Sequence, residues 1–261
     1  MERHDEQGCD TRRILGISFF TGDVRCAVDR MSRGGLLVAP AAPALKDIAS
    51  SESYREALTN ADMTITDSAF MVLIWNWLQR DSLKRVSGLK YLRELLLTPE
   101  VRTPGKVLWI MAGPSSTQAN VNWLSSQGIT VPDHCIHQAP IYGAEIEDGV
   151  LIERLQKHPT KHIVITIGGG TQERLGLYIK RNLGYSPAIH CIGAALAFLS
   201  GDQVRIPNWA DNLYLGWLFR CISAPRRYIP RYWFAFMLLP LLWRYRDRLP
   251  PMHSAPSGRP M

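Results

Sequence analysis

From Lys161 to Ile167 the chain reads Lys-His-Ile-Val-Ile-Thr-Ile, a nearly unbroken apolar, β-branched run closed by Gly168-Gly169-Gly170. Such a run offers no polar face to water. It fits a strand covered on both sides, the usual condition in a parallel sheet flanked by helices. The pattern recurs along the chain. Gly105–Pro114 reads as a buried strand ending in a turn before a helix over Gln118–Gln127, and His134–Ala139 as a short strand. Ala188–Ile192 is a further strand, followed by Gly193 and a helical stretch to Leu199. Nearer the start, Ile14–Phe20 and Gly35–Val38 read as strands separated by a helix over Asp23–Ser32. Helices are also expected over Ser51–Asn60, Phe70–Gln79 and Lys90–Leu97, then from Asp148 to His158 and to about Leu183. Strands alternating with helices this regularly imply a Rossmann-like α/β fold, a parallel sheet with helices on both faces.

The junction at Asp67-Ser68 carries the clearest hint of chemistry. Met63–Thr66 is β-branched, whereas Phe70, Leu73, Ile74, Trp77 and Leu78 recur at helical spacing. Asp67 therefore sits at the carboxyl end of a strand and at the expected N-cap of a helix. Capping alone would account for an aspartate there; open α/β sheets also bind their ligands at that edge. Gly168-Gly-Gly170-Thr171-Gln172-Glu173 joins another strand to a helix, and glycines at a helix N-terminus let amides approach a phosphate. It is not a dinucleotide fingerprint, because Glu173 stands at the third glycine position and the next strand lacks an acid. No P-loop or GxSxG elbow is present. The central region has no Asp-x-Asp pair, and seven histidines show no metal-ligand spacing, so no metal is expected. Glu145-Ile-Glu147-Asp148 reads as a solvated turn at a helix start.

Charge divides the chain. After Ser200 there are nine arginines, no lysine and three aspartates, which supplies most of the net charge of +7. A basic end on a nearly neutral domain suits a phosphate-bearing partner. Within it, Tyr232–Trp243 is an aromatic-rich apolar block broken by Pro240 and flanked by Arg231 and Arg244. Spanning a bilayer takes about 20 apolar residues, so the block fits the headgroup interface instead. Packing on the domain as an ordinary terminal helix is the other option. Nucleic acid is disfavoured, because the arginines border a solid apolar block rather than spaced stacking aromatics. Five cysteines without a CxxC pair suit a reducing compartment, and no signal-like apolar run follows Arg12-Arg13. The expected organisation is a disordered 1–13, a core over 14–200, a basic membrane appendage over 201–249 and a disordered tail over 250–261.

An ordered set of motifs resembles the WecG/TagA/CpsF family of bacterial glycosyltransferases, glycosyltransferase family 26. It comprises Ala57-Leu-x-x-Ala61-Asp62 with Asp67-Ser68, Arg85-Val-Ser-Gly88, Gly168-x-x-x-Gln172-Glu173 and Gly193-Ala-Ala-Leu-Ala-Phe-Leu-Ser-Gly201. It ends with Arg205-Ile-Pro-x-Trp209, Trp217-Leu-Phe-Arg220 and Pro225-Arg-Arg227. The resemblance implies inverting transfer from a UDP-sugar to a polyprenyl-diphosphate-linked saccharide in surface or exopolysaccharide biosynthesis, with no cofactor or required metal. It implies Asp67 as general base and Arg85 beside the leaving diphosphate. Gly168, Gly170, Thr171, Gln172, Glu173 and Gly193 would meet the donor, and Arg220, Arg227 and Arg231 the lipid diphosphate. A cytoplasmic protein held peripherally on the inner face of the membrane, with a core that tends to oligomerise, also follows from the resemblance. Two positions depart from the family. Ala39-Pro40-Ala41 replaces a Thr-x-Asn, and Gly216 replaces the glutamate before Trp217. Those losses leave the donor sugar open and keep a non-catalytic membrane scaffold of the same fold as the alternative.

Overall fold

The structure is a computed structural model and describes residues 11–203 and 216–252. Its sheet contains β1 (Thr11–Ile14), β2 (Ile17–Phe20), β3 (Gly35–Val38), β4 (Met63–Thr64), β5 (Val107–Met111), β6 (Ile136–Gln138), β7 (His162–Ile165) and β8 (Ala188–Cys191). The spatial order is β1-β2-β4-β3-β8-β7-β5-β6. Every pairing is parallel except the β1–β2 hairpin. The helices are α1 (Val24–Met31), α2 (Ala42–Leu45), α3 (Glu52–Thr59), α4 (Ala69–Gln79), α5 (Gly88–Leu95), α6 (Pro99–Arg102), α7 (Pro114–Ser126), α8 (Gly149–Lys157), α9 (Thr171–Asn182) and α10 (Ala195–Ser200). After residues 204–215 come α11 (Gly216–Ser223), α12 (Pro225–Ala235) and α13 (Leu238–Tyr245).

Side chains alternate across the pleat. Leu36, Val38, Leu108, Ile110, Ile163 and Ile165 enter one core with residues from α3, α4, α8, α9 and α13. Leu37, Val107, Trp109, Met111 and Val164 enter the other with α1, α5, α7 and α10. Fully burying one such side chain is worth about 1.5–3 kcal/mol. The doubly covered sheet expected from the sequence is present.

Several local expectations are corrected. Ile14–Phe20 is not one strand: Leu15 adopts φ 50° and Gly16 φ 79°, and the chain reverses there. Thr11–Arg13, assigned to the disordered start, thereby pair in β1. The Ala39–Leu45 stretch is not all loop, since Ala42–Leu45 is helical and continues into a 3-10 turn over Lys46–Ala49. Asp148 is buried rather than solvated. It caps α8 through Leu151 N (2.9 Å) and accepts from the Tyr142 hydroxyl (2.7 Å). At the far end, Leu238 and Leu242 of α13 lie in the first core. The Leu15 amide donates to Arg246 O (2.7 Å), and Arg55 Nη1 donates to Pro250 O (2.7 Å). The chain is therefore ordered against the core through Pro250, the first residue assigned to the disordered tail.

A polar chain, buried from Tyr91 to His162, runs from β8 to β7 along one face of the sheet and ends on the partly exposed Glu100. The Tyr91 hydroxyl lies 2.9 Å from His190 Nδ1, His190 Nε2 lies 3.1 Å from His162 Nδ1, and His162 Nε2 lies 3.2 Å from Glu100. One direction satisfies all three links with neutral rings: Tyr91 donates to His190, His190 to His162, and His162 to the carboxylate. Burial holds both imidazoles below their ordinary value of 6.5. The unfolded chain therefore takes up protons first as pH falls. Stability from this chain should be full above about pH 6.5 and decline below it. His162→Gln should flatten that decline, read as the difference in urea midpoint between variant and wild type from pH 7.5 to 5.5.

Candidate active site

The carboxyl ends of β3 and β8 are neighbours, with those of β4 and β7 on either side, so the loops after these four strands share one edge. After β4 the chain passes through Thr66, whose buried hydroxyl donates to Lys84 O (2.9 Å) and accepts from Val86 N (2.8 Å). That clip folds the 84–88 loop back on residues 66–67. Arg85 Nε donates to Asp67 O (2.7 Å), and its Nη2 stands 3.8 Å from Asp67 Oδ1. The Gly88 amide donates to the same oxygen at 2.8 Å.

Asp67 is not the N-cap of α4. Ser68 performs that task, accepting from Met71 N at 3.1 Å, and Ser87 does the same for α5. The Asp67 carboxylate is therefore aimed by an amide and an arginine, and its side chain keeps 26% exposure. A carboxylate so placed can accept a proton from a hydroxyl brought to the edge.

The glycine loop after β7 leads into α9. Gly170 takes φ 89°, and a Cβ at Gly168 or Gly170 would meet nothing within 4 Å, so the loop backbone faces open space. Gln172 and Glu173, expected to meet a donor, lie inside the loop at 2% and 0% exposure. Gln172 Oε1 accepts from the Gly193 amide (2.6 Å), tying the loops after β7 and β8 together. Glu173 accepts from Gly170 N (2.6 Å) and from Gln172 Nε2 (3.0 Å). Their work is to shape the loop; Gly168, Gly170 and Thr171 form its outer surface. Burial pushes the Glu173 carboxyl up to about 7 against those donors, and the charge of Asp67 adds to the rise. The base candidate and the glycine loop thus lie within electrostatic reach of each other.

The model of the glycosyl transferase WecG/TagA/CpsF family matches residues 12–251. The chain belongs to that family. No curated protein matches it significantly. Membership in the WecG/TagA/CpsF family makes a glycosyltransferase the expected activity, and the match covers α11–α13 as well as the sheet.

Arg220 lies on α11, and Arg227 and Arg231 on α12, but their side chains fall outside the described residues. Among the described residues no group of three His, Cys, Asp or Glu side chains could hold a metal. Sequence reasoning missed Thr66 and the Gly88 amide, which aim Asp67, and it missed Arg174. Arg174 falls three residues after Thr171, one helical turn along the same face, a spacing that could have drawn attention to it.

A buried carboxyl with a raised pKa weakens the fold as it ionises. Stability should fall as pH rises from about 4.5 to about 7 and level off above. Glu173→Gln should remove most of that slope, roughly 2–3 kcal/mol across the window, measured by urea denaturation at pH 5 and pH 8.

Proposed function

We propose that this protein transfers a sugar from a UDP-sugar to a polyprenyl-diphosphate-linked saccharide, with inversion, in bacterial surface or exopolysaccharide biosynthesis. The observation that carries the reading is the Asp67 carboxylate, partly exposed at the sheet's carboxyl edge and fixed by Gly88 and Arg85. Asp67 takes the proton of an acceptor hydroxyl as that oxygen attacks the anomeric carbon. The bond from that carbon to the diphosphate oxygen breaks, and UDP leaves with the electron pair. Arg85 offsets the negative charge that grows on the leaving group. The Gly168–Thr171 backbone and the N-terminus of α9 favour the donor's phosphates. No step in this scheme calls for a metal. Arg220, Arg227 and Arg231 are assigned to the lipid diphosphate, a task suited to the guanidinium fork.

Attachment to the inner face of the membrane is supported by an apolar outer surface. Trp233, Phe236, Met237 and Trp243 are more than half exposed, as are Leu73 and Trp77 on α4. Phe70 of α4 meets Phe236 edge-on at 5.3 Å, so the two groups adjoin. Among the described residues no helix is long and apolar enough to cross a bilayer. Self-association of the core belongs to the same proposal. The scaffold alternative is favoured by one feature: Ala39-Pro40-Ala41 brings no polar side chain to the carboxyl end of β3.

The test is UDP release from a panel of UDP-sugars with detergent-dispersed polyprenyl-diphosphate saccharides, comparing wild type with Asp67→Asn. Turnover with one donor is expected, reduced about 10²–10⁴-fold in the variant. Turnover that survives would remove Asp67 as base. Silence from folded, lipid-bound protein across the panel would favour the scaffold.

A further inference from the structure

A cavity of about 470 Å³ opens between the Lys46–Tyr54 segment and Gly169–Arg174, with Phe234 of α12 in its wall. That volume lies within the range of small-molecule sites. Its lining is mixed. Lys46 and Arg174 bring positive charge, Asp47 a carboxylate, Ser50 and Ser53 hydroxyls, and Phe234 an aromatic ring. Lys46 and Asp47 pair with each other, yet the Asp47 side chain keeps 43% exposure and stays within reach of a ligand.

No simple ion suits such a lining, since an anion would face Asp47 and a cation would face Lys46 and Arg174. A sugar ring does suit it. Each hydroxyl both donates and accepts, so it can bond to a carboxylate, a cation or a serine. The C–H face of the same ring can rest on an aromatic side chain, which gives the usual mixture of an apolar wall and a few placed polar groups.

The position of the cavity indicates which sugar. On one side it adjoins the glycine loop, where a Cβ at Gly169 would stand 3.8 Å from the Ala44 Cβ. Gly170, in the same wall, is bonded to Glu173, which feels the charge of Asp67. On the other side, Phe234 is 54% exposed and belongs to the outward aromatic surface with Trp233, Phe236 and Met237. Helix α12 packs on α2, which runs directly into the Lys46–Ala49 turn, so the apolar surface and the polar cavity are held side by side. That juxtaposition matches a ligand with a sugar head and a lipid tail.

We propose that this cavity is the subsite for the saccharide of the lipid-linked acceptor, with Asp47 accepting from sugar hydroxyls and the Phe234 ring against a C–H face. The preference for a sugar follows from the lining; its assignment to the acceptor rests on the transferase reading.

The test is calorimetric titration of the full-length protein in detergent, in wild type, Asp47→Ala and Phe234→Leu. The probes are farnesyl diphosphate, its glucosyl and N-acetylglucosaminyl derivatives, and UDP-glucose. At least one glycosylated prenyl probe should bind more tightly than farnesyl diphosphate. Affinity for it should fall about tenfold in Asp47→Ala and about two- to tenfold in Phe234→Leu, with binding of farnesyl diphosphate nearly unchanged. Both side chains are largely exposed, so neither variant should lower the thermal midpoint appreciably. Equal binding of the sugar-bearing and sugar-free probes, or glycosylated-probe affinities untouched by both variants, would overturn the subsite. Weakened binding of UDP-glucose in place of the prenyl saccharides would overturn the assignment to the acceptor and give the cavity to the donor's sugar. Sugar-dependent binding without transfer from any UDP-sugar would instead count against the transferase reading and leave the saccharide site standing.

Discussion

Helix α9 lies against the sheet at Gly176, where even a methyl group would stand 2.6 Å from Cys191 Sγ and 2.7 Å from Leu36 Cδ1. A larger residue there would have to displace the Cys191 and Leu36 side chains. Close packing at this point fixes the helix along its length, because the interior has no slack to absorb a shift. Its first turn is consequently held just past the carboxyl ends of β7 and β8. There Gln172 can reach the Gly193 amide, and Glu173 can turn back to the Gly170 amide. Spread the helix from the sheet by the width of a side chain and the Gln172–Gly193 bond is lost, whereas the Gly170–Glu173 bond, local to the helix start, travels with it. The tie between the two loops thus depends on packing one and a half turns away.

The electrostatics of the edge follow from the same geometry. Glu173 is drawn into the interior because its carboxyl completes the first turn of α9, yet burial and the nearby Asp67 both oppose its ionisation. Asp67 instead stays partly exposed and faces Arg85 and an amide. Two carboxyls on one edge are therefore set to different tasks by their surroundings, one braced inside and one presented outside. A charged ligand arriving at the loop would perturb the inner carboxyl through space, coupling occupancy to its protonation.

Much of this was legible in the sequence, because the strongest signals were periodic. The β7 run, the alternation of strands and helices, and the change of period after Thr66 all report burial, and burial is what a hydrophobic pattern encodes. The boundary errors share a cause. Leu15-Gly16 reverses the chain within an apolar run, and no polar residue marks the turn. Asp67 and Ser68 are both good caps, and which of them caps α4 depends on the Gly88 amide, 21 residues away in sequence. Gln172 and Glu173, expected to meet the donor, stand in the first turn of α9 with their side chains turned inward. Their partners there, the Gly170 and Gly193 amides, are set by the fold and carry no local sequence signal.

The C-terminal helices bear on how the edge meets a surface. Leu238 and Leu242 are fully buried, and the following backbone is hydrogen-bonded to the Leu15-Gly16 turn through Arg246 O and Asp247 O. That turn is shaped for the purpose, since a Cβ on Gly16 would stand 2.5 Å from Leu249 Cβ. The helix α13 is accordingly part of the fold and not a tether. The outward aromatic residues of α12 and α13 then have a fixed position relative to the sheet, and Phe234 among them borders the cavity beside Gly169 and Thr171. If a bilayer receives that aromatic surface, the distance and angle between the lipid and the carboxyl edge are set by core packing. A lipid-anchored substrate would then reach Asp67 over a constant span, which a flexible tail could not provide.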